Sequence, residues 1–129
     1  MATHLTLVSH APTVATRAAR FPDDEPPDEH GTAQAGATSG ALRRVDEARC
    51  GPELRCRVTA AALGVTPVLD PALADLDVGA WRGQRLAELA DAESAGLHAW
   101  LSDPAAAPHG GESLHDLLNR AAGWLDGLG

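Results

Sequence analysis

The sequence predicts an α/β domain, with a mainly parallel sheet flanked by helices. Three observations lead there. Residues 5 to 8 and 65 to 69 are short apolar runs of strand length, segments with apolar residues at helical spacing follow each of them, and 129 residues suffice for one core. In such sheets ligands gather at the carboxyl ends of strands, which makes His10, at the end of the first run, the first candidate for chemistry.

Leu5-Thr-Leu-Val8 suits a short buried strand because apolar and β-branched side chains fill both faces of a pleat, and Pro12 stops it. Residues 20 to 31 carry Pro22, Pro26 and Pro27 among acids, so an exposed loop is expected there. Folded over a site, its carboxylates would repel polyanions. Residues 32 to 48 are alanine-rich and helical in propensity, although Gly36 and Gly40 each cost about 1 kcal/mol relative to alanine. Pro52 fits the first turn of a helix with Leu54, Val58, Ala61 and Ala62 on one face and Gly64 as its stop.

After the second strand, Leu86, Leu89, Ala90, Leu97, Trp100 and Leu101 mark one face of another helix, which Pro104 closes. Ser113 opens an S-x-x-D capping pattern with Asp116, ahead of a stripe of Leu114, Leu117, Leu118, Ala121, Leu125 and Leu128 that should bury one face.

Composition excludes several function classes. The formal net charge is −8 and every basic residue is arginine, so no cationic surplus exists for a phosphate backbone, and nucleic acid is not an expected partner. No stretch approaches the roughly 18 apolar residues of a membrane span, and "MATHL" lacks the features of a signal peptide, so a cytoplasmic chain without a membrane partner is expected. Cys50 and Cys56 have neither redox nor zinc spacing and read as reduced structural thiols.

Five separated segments carry a more specific signal: "LVSHAPT" at 7–13, "GTAQA" at 31–35, "CGPELRCRVTAAALG" at 50–64, "ALADLDVGAWRG" at 72–83 and "PHGGES" at 108–113. In this order they resemble the histidine phosphatase superfamily, the phosphoglycerate mutase-like group. The resemblance implies that His10 is a nucleophile and Asp75 a general acid, and that Ser9, Thr13 and Arg55 stand at phosphate-binding positions. It further implies a phosphomonoester hydrolase working through a phosphohistidine, with no metal or other cofactor, on a small phosphorylated metabolite or other anion. Guanidinium suits the binding task because its fixed fork matches phosphate geometry.

The departures bear on activity. Ser9 stands where the family has an arginine, Ala11 replaces a glycine, Pro12 an acid, and Asp75 is one methylene shorter than the usual glutamate. The family's second histidine, from a later strand, has no counterpart before Gly129. Losing one preorganised charge at a transition state costs about 2.7 to 4 kcal/mol, so weak or absent turnover is expected. The alternative is a noncatalytic family member that binds an anionic metabolite or a protein. A single domain over residues 1–129 is expected, incomplete at its C-terminus, with self-association as the consequence of an unpartnered strand.

Overall fold

The computed structural model describes residues 3–42 and 44–128; Arg43, one position of the helix expected over 32–48, lies outside them, as do Met1, Ala2 and Gly129. Two parallel strands, β1 (Arg49–Cys50) and β2 (Val68–Leu69), pair with Arg49 opposite Val68 and Cys50 opposite Leu69. The helices are α1 (Val14–Arg17), α2 (Glu29–Ala37), α3 (Leu54–Ala62), α4 (Leu86–Ala92), α5 (Ser94–Ser102) and α6 (Leu114–Asp126), with α3 packed on β1 and α2 on α3. Parallel pairing needs a crossover, and α3 supplies it between β1 and β2.

Where α3 ends, local chemistry decides. Gly64 takes φ +76°, its N–H donates to Ala61 O at 3.0 Å, and the Val65 N–H donates to Ala60 O at 2.9 Å. These two bonds form a Schellman stop. They also shorten the strand expected over 65 to 69: Val65 is committed to the helix end and Pro67 has no N–H, so pairing begins at Val68.

Other expectations need correction. Leu5 to Val8 form no strand; among the described residues no segment pairs with them, and Leu7 is 80% exposed. A strand exists only with a ladder partner, and β1, a segment without a sequence signal of its own, takes β2 instead. The helix expected over 32–48 begins earlier and ends at Ala37. Asp28 caps it, accepting the Gly31 N–H at 2.6 Å, so the prolines of the acidic loop precede the cap instead of preventing the helix. The single helix expected over 86–101 breaks at Glu93 (φ −136°, ψ 47°), where the carboxylate accepts the Trp81 indole N–H at 3.0 Å.

The core is built on Trp81, 1% exposed, packed with Val78 and Leu89 and flanked by Phe21, Leu76, Leu97 and Trp100. Phe21, Trp81 and Trp100 lie with ring centroids 5.8 to 5.9 Å apart, two of the three pairs edge-on. Asp70, just past β2, joins three elements: it accepts the Ala72 N–H at 3.0 Å, the Trp124 indole N–H of α6 at 3.0 Å, and Arg49 of β1 at 3.4 Å. The Ser113 capping box is present, with Asp116 N–H donating to Ser113 Oγ at 3.1 Å and Ser113 N–H to Asp116 Oδ2 at 3.1 Å.

The apolar stripe of α6 does not bury as expected: Leu118 is 63% exposed, and Leu125 and Leu128 are also exposed. Among the described residues the helix meets the 70–74 segment through Arg120 and Trp124, and Leu114 and Leu117 are half-buried, which leaves Leu118, Leu125 and Leu128 as the uncovered part of the stripe. Exposed apolar side chains in this number favour association. Sedimentation velocity over a concentration series should therefore show species heavier than 13.3 kDa, with Leu118→Glu plus Leu125→Glu shifting the chain toward monomer. One monomeric boundary at every concentration would mean that water tolerates these side chains.

Candidate functional site

Arg55 sits on the first turn of α3, directly after β1, and its side chain is only 4% exposed. Asp75 lies in the segment that follows β2. The carboxyl ends of the two parallel strands thus deliver both residues, and Arg55 Nη2 donates to Asp75 Oδ2 at 2.8 Å. The Arg55 Nε–H is buried and has no partner among the described residues. An unpaired buried donor on a cation is costly unless a ligand satisfies it. Beside the pair opens a cavity of about 480 Å³, lined by Arg55, Asp75 and Asp77 together with Phe21, Pro22 and Asp24 of the acidic loop.

That loop is held down, not free. Phe21 N–H donates to Gln84 O and Gly83 N–H to Phe21 O, both at 3.0 Å, and Asp24, with φ +61°, accepts the Leu54 N–H at 2.9 Å through Oδ1. Its far end is fixed by Asp28, whose carboxylate Arg17 grips; the guanidinium and the Gly31 N–H lower its pKa to about 2.

His10 is half-buried and stands outside the cavity's lining, as do Ser9 and Thr13. It is nevertheless tied to α3. The next residue, Ala11, donates its N–H to Thr59 Oγ1 at 2.9 Å, and Thr59 Oγ1 donates to Arg55 O at 2.7 Å. His10 Nδ1 lies 2.7 Å from Ala11 O. A carbonyl only accepts, so Nδ1 carries a proton, which in the neutral tautomer leaves the lone pair on Nε2. Ser9 is exposed, its hydroxyl 3.5 Å from the His10 carbonyl. Thr13, 1% exposed, is the N-cap of α1: its Oγ1 accepts the Thr16 N–H at 3.2 Å, and its backbone bridges to Pro27.

Asp75 and Asp77 both accept local backbone hydrogen bonds, Asp75 Oδ1 from Leu76 N–H at 2.7 Å and Asp77 Oδ1 from Gly79 N–H at 2.9 Å. Asp75 is further placed by its backbone: its N–H donates to Glu53 Oε1 at 2.6 Å.

The sequence motifs do not single out the residue that fixes this segment most heavily. Arg120 of α6 donates through Nη1 to Ala72 O (2.9 Å) and Ala74 O (2.6 Å), and through Nη2 to Asp75 O (3.4 Å). The same guanidinium grips Glu112 through both oxygens, at 2.7 and 3.0 Å, and holds that carboxyl below its ordinary range. Glu112 in turn meets Asp77, its N–H donating to Asp77 O at 2.8 Å. One signal for it exists in the sequence: Arg120 is the lone arginine of α6, seven residues after a cap.

Two glycines allow the segments to cross so closely. Gly79 takes φ +50°, and a methyl group there would overlap the His109 carbonyl; one at Gly111 would overlap the Asp77 carbonyl. His109 is 4% exposed and packs edge-on against Trp81 at 5.1 Å. Its Nδ1 accepts the Gly111 N–H at 3.0 Å, so Nε2 carries the proton of the neutral ring, buried and unpartnered among the described residues. Burial lowers the His109 pKa, against a smaller opposing pull from Asp77. The cysteines are free, and burial pushes the Cys56 thiol up to about 11. Among the described residues no three His, Cys, Asp or Glu side chains are grouped to hold a metal ion, and no helix is long and apolar enough to cross a membrane.

Residues 5–129 match the profile of the Histidine phosphatase superfamily (branch 1). The bifunctional protein Rv2228c of Mycobacterium tuberculosis is 35% identical over 127 residues, covering 92% of this chain and 35% of that protein. The chain thus spans about a third of the length of this curated relative. Among solved structures, TTHB049 from Thermus thermophilus superposes with TM-score 0.82 at 33% identity, covering 95% of this chain and 71% of its own. Mycobacterial glucosyl-3-phosphoglycerate phosphatase Rv2419c, solved with VO3, superposes with TM-score 0.79 at 30% identity, covering 92% and 63%.

Two outcomes follow from the crossing. Arg120→Met leaves three carbonyls and the Glu112 carboxylate without their donor, so chemical denaturation should show a loss of about 1 to 3 kcal/mol, with Arg120→Lys recovering only part because an ammonium cannot span the fork. Separately, the unfolded chain takes up a proton at His109 near its ordinary pKa of about 6.5 whereas the folded chain resists it. The stability this provides is complete above that value and is lost as pH falls toward the lowered folded value. Thermal unfolding from about pH 7.5 to 5 should show this decline, and His109→Gln should flatten it.

Proposed function

Because this chain belongs to the histidine phosphatase superfamily (branch 1), we propose that its cavity is a phosphoryl-binding site and that the domain is a phosphomonoester hydrolase of low turnover. The observation that carries this reading is Arg55. It is buried at the carboxyl end of a parallel strand, its Nε–H lacks a partner among the described residues, and its other arm rests on the residue at the general-acid position. A phosphoryl oxygen would satisfy the free donor and complete the bidentate geometry guanidinium favours.

The chemistry is written on three side chains. His10 Nε2, with its lone pair free, attacks phosphorus; the ester P–O bond breaks as Asp75 in its acid form passes a proton to the leaving oxygen. Water then attacks phosphorus, the P–N bond breaks, and Asp75 takes the water proton. Phosphate leaves with His10 restored. His10 lies outside the cavity lining and is linked to Arg55 through Ala11 and Thr59, and in this reading the substrate bridges the two.

Low turnover follows from charge. Ser9 is exposed and uncharged, so Arg55 faces the equatorial oxygens with little cationic help. The same observation favours a second reading, a noncatalytic anion-binding domain, in which Arg55 binds and nothing is hydrolysed. Calorimetric titration with inorganic phosphate should show binding that Arg55→Met weakens at least tenfold; unchanged affinity would remove both readings. An aryl phosphate should be hydrolysed slowly, with loss on His10→Ala and a rise on Ser9→Arg. Phosphate binding with no His10-dependent hydrolysis in either background would leave the binding domain.

A further inference from the structure

The cavity beside Arg55 has two unlike walls. One is apolar, made by Phe21, Leu76, Val78, Trp100 and Leu117, and it continues into the buried cluster on Trp81. Trp100 in this wall is held edge-on by both Phe21 and Trp81 at 5.8 Å, so its ring is fixed before any ligand arrives. Its indole Nε1–H is buried and has no acceptor among the described residues.

The other wall is acidic. Asp24, Glu53, Asp75 and Asp77 line it against two guanidiniums, Arg55 and Arg82. Arg82 is occupied by Asp23 at 3.1 Å, and Arg55 is the cation that the reading above assigns to the phosphoryl group. Once Arg55 is taken, a second anionic group on the ligand would meet carboxylates and no free cation among the described lining residues. Like charges at close range in a partly desolvated cleft repel strongly.

We propose that the site selects monoesters whose alcohol portion is apolar or aromatic and carries no second negative charge, and that Trp100 is the specificity-determining residue. This rests on the phosphoryl-binding reading of Arg55. The apolar portion lies along Phe21, Leu76 and Trp100, where it removes apolar surface from water at little ordering cost because the wall is preformed. A hydrogen-bond acceptor on that portion, an ether or carbonyl oxygen, would meet the unpartnered Trp100 N–H. Bisphosphates, phosphorylated carboxylic acids and nucleotides are excluded by charge.

Three phosphonates separate the contributions: methylphosphonate, benzylphosphonate and phosphonoacetate, titrated calorimetrically against the full chain. Benzylphosphonate should bind at least tenfold more tightly than methylphosphonate, and phosphonoacetate at least tenfold more weakly. Trp100→Ala should abolish the benzyl advantage while leaving methylphosphonate unchanged. Because Trp100 packs on Trp81, Leu117→Ala in the same wall serves as the second variant and should reduce the same advantage without touching the aromatic cluster. Equal affinity for methyl- and benzylphosphonate, or phosphonoacetate as tight as methylphosphonate, overturns the selectivity and leaves the phosphoryl site standing. Binding of none of the three overturns both.

Discussion

The arrangement around the cavity depends on one guanidinium. Arg120 joins α6 to three carbonyls of the 72–75 segment and to Glu112, and through Glu112 to Asp77. Asp75 sits on a stretch with no regular secondary structure, held locally only by the turn bonds that Asp75 and Asp77 accept. Arginine is suited to the task because its planar fork can serve a carboxylate on one edge and carbonyls on the other. The crossing of the 77–79 and 109–111 segments completes the frame, and it closes only because glycine stands at positions 79 and 111. Two stretches that look independent in the sequence are therefore one structural unit, which is why both carry glycine and acid at fixed places.

What was legible in the sequence was whatever local chemistry decides. The Ser113 cap follows from a hydroxyl acting on its own neighbours, and the Gly64 stop from the freedom of glycine to take a positive φ. Trp100 is legible as part of an apolar helix face, and it packs beside Trp81. Opaque were the features set by distant partners. β1 has no apolar signature, since Arg49 faces solvent and only Cys50 is buried. Leu5 to Val8 read as a strand by composition, yet pairing is a property of two segments, and composition describes one. Arg120 stands out in the sequence only as the lone arginine of α6, and its role does not, because its carbonyl partners at Ala72 and Ala74 lie 48 and 46 residues away.

At the site the division repeats. The order of short segments points to Arg55 as a phosphate-binding residue and Asp75 as a general acid; an ion pair between them is not part of that reading, and the structure shows one. Thr13 was assigned to phosphate binding by the same likeness, and its hydroxyl caps α1. Thr59 was not singled out. It sits one helical turn beyond Arg55, and that spacing puts its hydroxyl back on the Arg55 carbonyl, from where it takes the Ala11 N–H. That pair of hydrogen bonds links the chain that carries His10 to the helix that carries Arg55.

The Arg55–Asp75 pair also bears on how such a site can work. Both oxygens of Asp75 are engaged, Oδ1 by the Leu76 N–H and Oδ2 by Arg55. The first is local and costs nothing to keep. The second competes with the ligand, because the guanidinium that binds Asp75 is the one a phosphoryl oxygen would take. On the proposed reading, a phosphoryl group that takes this arm of Arg55 would release Asp75 Oδ2 toward the ligand. Glu53 and Arg120 hold the Asp75 backbone from both sides, so on the proposed reading exchange of one hydrogen-bond partner would replace movement of this shorter side chain.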